Sequence, residues 1–221
     1  MAPKPKHRTK NSAKRQRILE AAQELFVERG FEGTSMDDVA DAAAVSKQTI
    51  YSHFGNKEEL FAAAIAARCA AGELSAEDFD EALPCREMLL TVGQRFVRLI
   101  ASPEAVAIYR LAVANAEQHP TIARLFFHAG PLPTLEALTD YLARCHGAKR
   151  LLIPEPRVAA GQFLAMVKGE HDMRRILNVE PLDTASVEAY VARCVDVFMA
   201  AYGRDAPEGL EAEGARTIPG A

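Results

Sequence analysis

One short segment of the chain carries side chains that suit the edges of DNA bases. Lys47 can donate to the acceptor atoms of guanine, and Gln48 can form two hydrogen bonds with adenine. On a helix Lys47 and Tyr51 share a face, because they are four residues apart, and Ser46 and Thr49 lie near its start. A recognition helix in the major groove presents such a face. We therefore expect base contacts from Lys47 and Gln48.

The opposite face of this segment is apolar and indicates how the helix is held. Ile50 and Phe54 are also four residues apart, and with Val45 they can pack inwards against two preceding helices. Apolar residues recur at helical spacing from Ala13, and Gly30 is a natural stop. The first of the preceding helices is therefore expected over residues 13–29.

The turns between these helices are short and contain capping residues. A second helix is expected over residues 36–43, capped by the hydroxyls of Thr34 and Ser35 and acidic in its first turn. Ser46 is expected to cap the third helix, and a fourth begins near Lys57. Helices of this length joined by such turns predict a helix-turn-helix unit.

The same spacing resembles the DNA-binding signature of the TetR family of bacterial transcription regulators. The resemblance extends from about residue 16 to 67. Its most specific groups are Val45-Ser46, Thr49-Ile50-Tyr51, His53-Phe54 and Lys57-Glu58-Glu59-Leu60. It implies an all-α protein with an N-terminal three-helix helix-turn-helix domain and a C-terminal helical domain that binds a ligand and dimerises. Such a regulator, most commonly a repressor, binds a palindromic operator as a dimer and is released by a small-molecule effector.

The resemblance also implies which side chains contact phosphate. The matching positions are Tyr51, Lys57 and the hydroxyls of Thr34 and Ser35, with His53 as a further candidate. Each has an ordinary structural alternative: a helix cap, a half-buried aromatic, a surface histidine or a solvated charge. The complete set of candidate DNA-binding residues is Thr34, Ser35, Ser46, Lys47, Gln48, Thr49, Tyr51, His53 and Lys57.

Charge is unevenly distributed along the chain. The formal net charge is -4, yet up to Lys57 there are 10 Lys and Arg against 7 Asp and Glu, and beyond it 16 against 23. A protein that touches nucleic acid with one end has this distribution. Residues 1–12 predict a disordered basic arm that adds affinity and salt dependence by releasing counterions from DNA. A solvated tail without a partner is the alternative.

The rest of the chain keeps a helical pattern interrupted by prolines. Helices are expected at residues 57–71, 86–101, 104–118, 121–128, 132–146, 155–176 and 184–202. No segment alternates long enough to predict a strand. The expected domains are the basic arm at 1–12, the helix-turn-helix domain at 13–60, the effector-binding and dimerisation domain at 61–203, and a flexible tail at 204–221.

The last two long helices are the expected homodimer interface. Their apolar residues are Val158, Phe163, Leu164, Met166 and Val167 in the first, and Val187, Tyr190, Val191, Cys194, Val195, Val197 and Phe198 in the second. These residues cover more than one side of each helix, so one side can pack on its own chain and another on a partner. The family resemblance implies the same four-helix interface. Two central core helices are the alternative.

A second resemblance concerns residues 109–131, which look like the C-terminal domains of the AefR-like subgroup. It implies an effector pocket, and the candidate lining residues are Phe96, Tyr109, Phe126, Phe127, His128 and Phe163. Aromatic residues at helical spacing also occur in ordinary cores, and the sequence leaves that alternative open. It does not identify the effector.

Other classes of protein receive little support. The four cysteines, Cys69, Cys85, Cys145 and Cys194, form no C-x-x-C pair, so we expect packing roles in a reducing cytoplasm and no metal site. No signal peptide or membrane span is expected. The run Gly169-Glu170-His171-Asp172 lacks the second histidine of a zinc-binding H-E-x-x-H, so we expect no enzyme and no cofactor. The remaining alternatives are an architectural DNA binder, a degenerate family member and a helical enzyme.

Overall fold

The computed structural model describes residues 6–70, 74–180 and 182–203, and this part of the chain is helical. Its α-helices are α1 (Lys6–Arg29), α2 (Met36–Ala42), α3 (Lys47–Phe54), α4 (Lys57–Ala70), α5 (Cys85–Ile100), α6 (Pro103–Ala114), α7 (Pro120–Ala129), α8 (Pro131–Gly147), α9 (Pro156–Ile176) and α10 (Thr184–Tyr202). Ala76–Asp78 adds one 3-10 turn, and an isolated antiparallel bridge joins Leu151 to Gly203. The all-α prediction is confirmed. The predicted tail at 204–221 lies outside the described residues, and no helix within them could span a membrane.

Proline and capping residues set most helix boundaries where the sequence predicts them. Pro103, Pro120 and Pro156 stand in the first turn of their helices, where the missing backbone N–H costs nothing. Helix α6 is one exception, because it ends at Ala114, four residues before its predicted end. Its C-cap residue Asn115 turns its side-chain amide back to donate to the Leu111 carbonyl at 2.7 Å.

Helix α1 begins earlier than the sequence pattern predicts. It starts at Lys6, directly after Pro5 in the sequence, so residues 6–12 are helical and do not belong to a disordered arm. Lys and Arg are good helix formers, and a helix nucleated further along extends at little cost. The first five residues of the predicted arm lie outside the described part.

The chain divides into two compact units. The first unit comprises residues up to 73 together with 99–134, and so contains α1 to α4, α6 and α7. One apolar core joins these helices, with Ile50 of α3, Phe61 of α4 and Ile122 of α7 among its buried members. The predicted boundary between residues 60 and 61 falls inside α4, because Phe61 packs in the same core as the residues before it.

The second unit comprises residues 74–98 and those from 135 onwards. It contains most of α5 and α8, together with α9 and α10. Gly93 of α5 allows a close approach, since a Cβ there would lie 2.9 Å from Val191 Cγ1 and 3.3 Å from Phe163 Cζ. Phe163 and Phe198 meet edge to face in this core at 5.3 Å between ring centroids.

Helix α9 is interrupted at Gly169, which the sequence pattern does not reveal. Gly169 has φ 52° and ψ -165°, a conformation essentially restricted to glycine. A Cβ there would lie 2.6 Å from Tyr190 Cε1. Tyr190 in turn donates its hydroxyl to the Met166 carbonyl at 3.0 Å. Glycine therefore permits both the break in α9 and the close packing of the tyrosine ring.

Replacement of Gly169 by alanine is expected to destabilise the protein. Gly169→Ala should lower the free energy of unfolding by about 2 kcal/mol, because it adds backbone strain and a contact with Tyr190. Gly161→Ala is the matched control in the same helix, where a Cβ meets nothing within 4 Å. The control should raise stability by about 0.5 to 1 kcal/mol. Urea unfolding at one fixed protein concentration measures both, and equal effects would contradict the interpretation of Gly169.

Candidate nucleic-acid interface

Helix α3 separates an exposed polar face from a buried apolar one. Ile50 and Phe54 are buried in the core of the first unit, as the sequence predicts. Lys47, Gln48 and Tyr51 are exposed, and 45 % of the Tyr51 surface remains accessible. The apolar contacts therefore fix the helix, while the polar face is free to meet a macromolecule.

The start of α3 is fixed by a cap and a tight turn. Ser46 is the N-cap residue, and its hydroxyl accepts from the Thr49 backbone N–H at 3.3 Å and lies 2.8 Å from the Thr49 hydroxyl. Ala44 adopts a positive φ of 51°, and the Val45 backbone N–H then donates to the Ala40 carbonyl at 3.0 Å. This turn sets the angle between α2 and α3.

Helix α2 begins with a capping box. The Ser35 hydroxyl accepts from the Asp38 backbone N–H at 3.1 Å, and the Ser35 backbone N–H donates to the Asp38 carboxylate at 2.8 Å. The Ser35 hydroxyl also donates to that carboxylate, at 2.6 Å. Hydrogen bonds from the side chain and backbone of Ser35 lower the pKa of Asp38 below its ordinary value. Ser35 is exposed, so its cap stands at the surface.

Thr34 does not have the capping role that the sequence suggests. Its side chain is buried, and its hydroxyl lies 2.9 Å from the Gly30 carbonyl oxygen and 3.1 Å from that of Leu25. These carbonyls belong to the end of α1 and the turn that follows it. The hydroxyl therefore anchors the turn from within, and its burial opposes the expected contact with phosphate.

Lys47 has a partner that the sequence analysis missed. Its ammonium group lies 2.8 Å from the Asp37 carboxylate in the first turn of α2, and both side chains are about half exposed or more. The hydrogen bond to Asp37 raises the pKa of Lys47 above its ordinary value. The acidic first turn of α2 is visible in the sequence, but its position beside α3 depends on the turn at Ala44.

Lys57 and His53 lie at the edge of the same surface. The Lys57 ammonium group lies 4.4 Å from the centroid of the buried Phe31 ring, and its side chain is half-buried. His53 is also half-buried, with its ring 6.0 Å from that of Phe54. The Arg15 guanidinium of α1 lies 5.1 Å from the centroid of Phe54. Cation–π contacts of this kind hold two basic side chains near α3.

The six candidate pocket residues are divided between the two units. Tyr109 and Phe126 lie in the first unit with their rings 5.9 Å apart, and both are half-buried. Phe127 and His128 are exposed on α7, which does not fit the lining of an enclosed pocket. In the second unit Phe163 is fully buried and Phe96 nearly so. These two side chains pack in the core of that unit.

The cysteines and the histidine considered for metal or enzyme chemistry are buried where the structure describes their side chains. Cys85 and Cys145 are buried with their sulfur atoms 3.6 Å apart, Cys194 is buried, and the side chain of Cys69 lies outside the described part. His171 is buried, with its ring 5.6 Å from that of Tyr190. Among the described residues, no group of three or more potential ligands could hold a metal ion.

The capping box makes a prediction about pH. Because the folded pKa of Asp38 is lowered, ionised Asp38 stabilises the fold above its ordinary value of 3.8, and this contribution is lost as the pH falls below that value. The wild type should therefore be more stable than Asp38→Asn at pH 6, and the difference should shrink towards pH 3. Urea unfolding at both pH values measures it, with Asp41→Asn as the control. A difference independent of pH would contradict this role of the carboxylate.

Comparison with known families covers most of the chain. The family described as "Bacterial regulatory proteins, tetR family" matches residues 18–64, and "AefR-like transcriptional repressor, C-terminal domain" matches residues 87–204. The repressor AcnR of Corynebacterium diphtheriae is 29% identical over 191 residues, which cover 86% of this chain and 82% of AcnR. The activator FasR of Mycolicibacterium smegmatis is 42% identical over 59 residues, only 27% of either chain.

Solved structures of regulators match the fold of this chain over nearly their whole length. The flavonoid-responsive regulator FrrA is 31% identical, with a TM-score of 0.78, and the match covers 88% of this chain and 99% of FrrA. A TetR-family regulator from Mesorhizobium loti is 25% identical, with a TM-score of 0.79 and coverage of 87% and 98%. Proteins of this family regulate transcription and are not enzymes. The chain belongs to the TetR family of bacterial transcription regulators, with an AefR-like C-terminal domain.

Proposed function

We propose that the protein is a repressor that binds a palindromic operator as a homodimer and releases it when a small-molecule effector binds. The exposed face of α3 is the observation that carries the proposal. Lys47 and Gln48 stand at its first turn and would contact base edges in the major groove. The buried Ile50 and Phe54 on the opposite face would hold this surface rigid.

Phosphate contacts would come from the residues around this face. Tyr51 is exposed, the hydroxyls of Ser35 and Ser46 stand at helix N-termini, and Thr49 lies in the first turn of α3. Helix N-termini and hydroxyls are suitable partners for phosphate oxygens. The ammonium group of Lys57 and the ring of His53, at the edge of the surface, would add to these contacts. Such contacts fix the register of the protein on DNA without reading sequence.

The second unit has an apolar surface that suits a dimer interface. On α9 Val158 and Met173 are exposed, and on α10 Tyr190 and Val197 are exposed, the last by 60 %. The other sides of the same helices are buried in their own core. A helix that is apolar on both sides needs a second partner for its outer side. We therefore assign the outer sides of α9 and α10 to a two-fold interface.

Repression and an aromatic effector are supported by the relatives. The match to the repressor AcnR extends over most of this chain, whereas the match to the activator FasR is confined to 59 residues. FrrA is named for its response to flavonoids. In this chain the half-buried rings of Tyr109 and Phe126 could stack with a planar aromatic molecule. We therefore propose a flavonoid-like effector that contacts this ring pair.

Selection from a random pool of duplex DNA at about 0.15 M salt tests the proposed operator. The wild type should enrich a palindrome, and the double variant Lys47→Ala, Tyr51→Ala should not, because it lacks a base contact and a phosphate contact. Val197→Asp places a charge in the proposed interface, so this variant should bind single half-sites weakly. Wild-type protein that enriches no sequence would overturn operator reading and favour an architectural DNA binder.

The enriched duplex then tests the effector. A flavonoid should weaken binding of the labelled duplex by about 5- to 150-fold, the usual range of allosteric coupling. Tyr109→Leu should reduce this effect while leaving DNA affinity without flavonoid unchanged. Fluorescence anisotropy measures both quantities. Release of the duplex by flavonoid from wild type and Tyr109→Leu at equal concentrations would exclude the ring pair, and no release would exclude this effector class.

A further inference from the structure

We infer that Asp37 is a specificity-determining residue that acts by positioning Lys47. This inference rests on the proposed reading of DNA by α3. Asp37 stands in the first turn of α2 and Lys47 at the first residue of α3, and their charged groups are 2.8 Å apart. The pair therefore lies at the point where the starts of the two helices meet.

The pair restricts a side chain that is otherwise unselective. A lysine ammonium group is a compact charge on a flexible stem, with three donors that suit phosphate oxygens as well as base acceptors. One N–H of Lys47 is directed at the Asp37 carboxylate, and two remain for the O6 and N7 acceptors of a guanine. Asp37 thus favours a directed base contact over the many phosphate contacts that a free lysine could make.

The Asp37 carboxylate also disfavours phosphate near this point. It is an exposed negative charge beside the first turn of α3, where an unpaired lysine would otherwise attract the DNA backbone. Repulsion of phosphate lowers affinity for DNA of any sequence. A DNA sequence that places a guanine beside Lys47 recovers this lost affinity through hydrogen bonds to Lys47. A sequence with another base at that position does not recover it. Discrimination between sequences therefore comes from the repulsion of phosphate by Asp37 as well as from the base contact of Lys47.

The capping geometry makes Asp37 separable from the fold. The capping box of α2 uses Asp38 and not Asp37, and the Asp37 side chain is exposed. Asp37→Asn removes the charge with nearly the same shape. Asp41→Asn is the matched control, because Asp41 is exposed one turn further along the same face of α2 and forms no ion pair with any described residue. Both variants change the net charge equally.

The test compares wild type, Asp37→Asn, Asp41→Asn and Lys47→Ala in the same selection from random duplex DNA. Lys47→Ala should lose about ten-fold or more of the preference at one base pair in each half-site. Asp37→Asn should lose preference at the same base pair, and bind non-specific DNA more tightly with a steeper salt dependence by about one phosphate. Asp41→Asn should keep the wild-type preference. The variant Asp37→Asn, Lys47→Ala should be no less selective than Lys47→Ala alone.

The outcomes distinguish failure of the Asp37 inference alone from failure of operator reading. If wild type enriches a palindrome and Asp37→Asn retains every base preference, the inference about Asp37 is wrong and operator reading stands. If Asp37→Asn and Asp41→Asn shift affinity equally with preferences unchanged, the carboxylate acts only through general charge, which also overturns the inference. If wild type enriches no sequence, operator reading fails and the specificity role of Asp37 fails with it.

Discussion

The ring of Phe31 holds together the parts of the first unit on which α3 depends. Its centroid lies 5.3 Å from that of Phe61 and 6.0 Å from that of Phe26, so the ring joins the end of α1 to α4. The Lys57 ammonium group lies over the same ring, and the His119 ring lies 5.1 Å from it. Because α3 is short, its position is set by these longer neighbours. The apolar contacts of the buried Phe31 ring thus help to position the exposed polar face of α3.

In the proposed complex with DNA, affinity and base selectivity would come from different parts of the first unit. The exposed face of α3 holds one lysine paired with an acid, together with the neutral Gln48 and Tyr51. Exposed positive charge with no ion pair among the described residues is instead found on α1, at Lys14 and Arg17. The attraction of such charges to phosphate does not depend on base sequence. The arrangement leaves α3 nearly neutral, so that hydrogen-bond geometry, rather than charge, would decide which bases it accepts.

Local patterns predict most of the fold because they concern neighbours in the chain. The prolines that begin α6, α7 and α9, and the burial of Ile50 and Phe54, follow from backbone chemistry and helical spacing. Thr34 is misassigned because a hydroxyl before a helix can either cap it or bond back to the preceding helix, and only packing decides. The partnership of Asp37 with Lys47 depends on the angle between α2 and α3. Sequence spacing does not contain that angle.

The break in α9 at Gly169 is also missing from the sequence pattern, because it involves a contact with Tyr190 of another helix. In α9 a glycine at that position is compatible with an unbroken helix, and the pattern of residues 155–176 predicts one. In the structure Gly169 has a positive φ, Tyr190 of α10 occupies the space that a Cβ would take, and the Tyr190 hydroxyl donates to the Met166 carbonyl. Contacts between distant segments therefore decide what single-helix patterns leave open.

Helix α4 brings the proposed effector surface into the same compact unit as α3. Phe61 and Ile65 of α4 are buried in one core with Ile122 of α7, and Phe126 packs against that core. His119, at the start of α7, contacts the Phe31 ring and lies 2.6 Å from the Glu32 carboxylate in the turn before α2. A displacement of α7 must therefore either move this turn or break these contacts. Because close-packed cores resist continuous deformation, an effector held by α6 and α7 could change the setting of α3 through direct contacts alone.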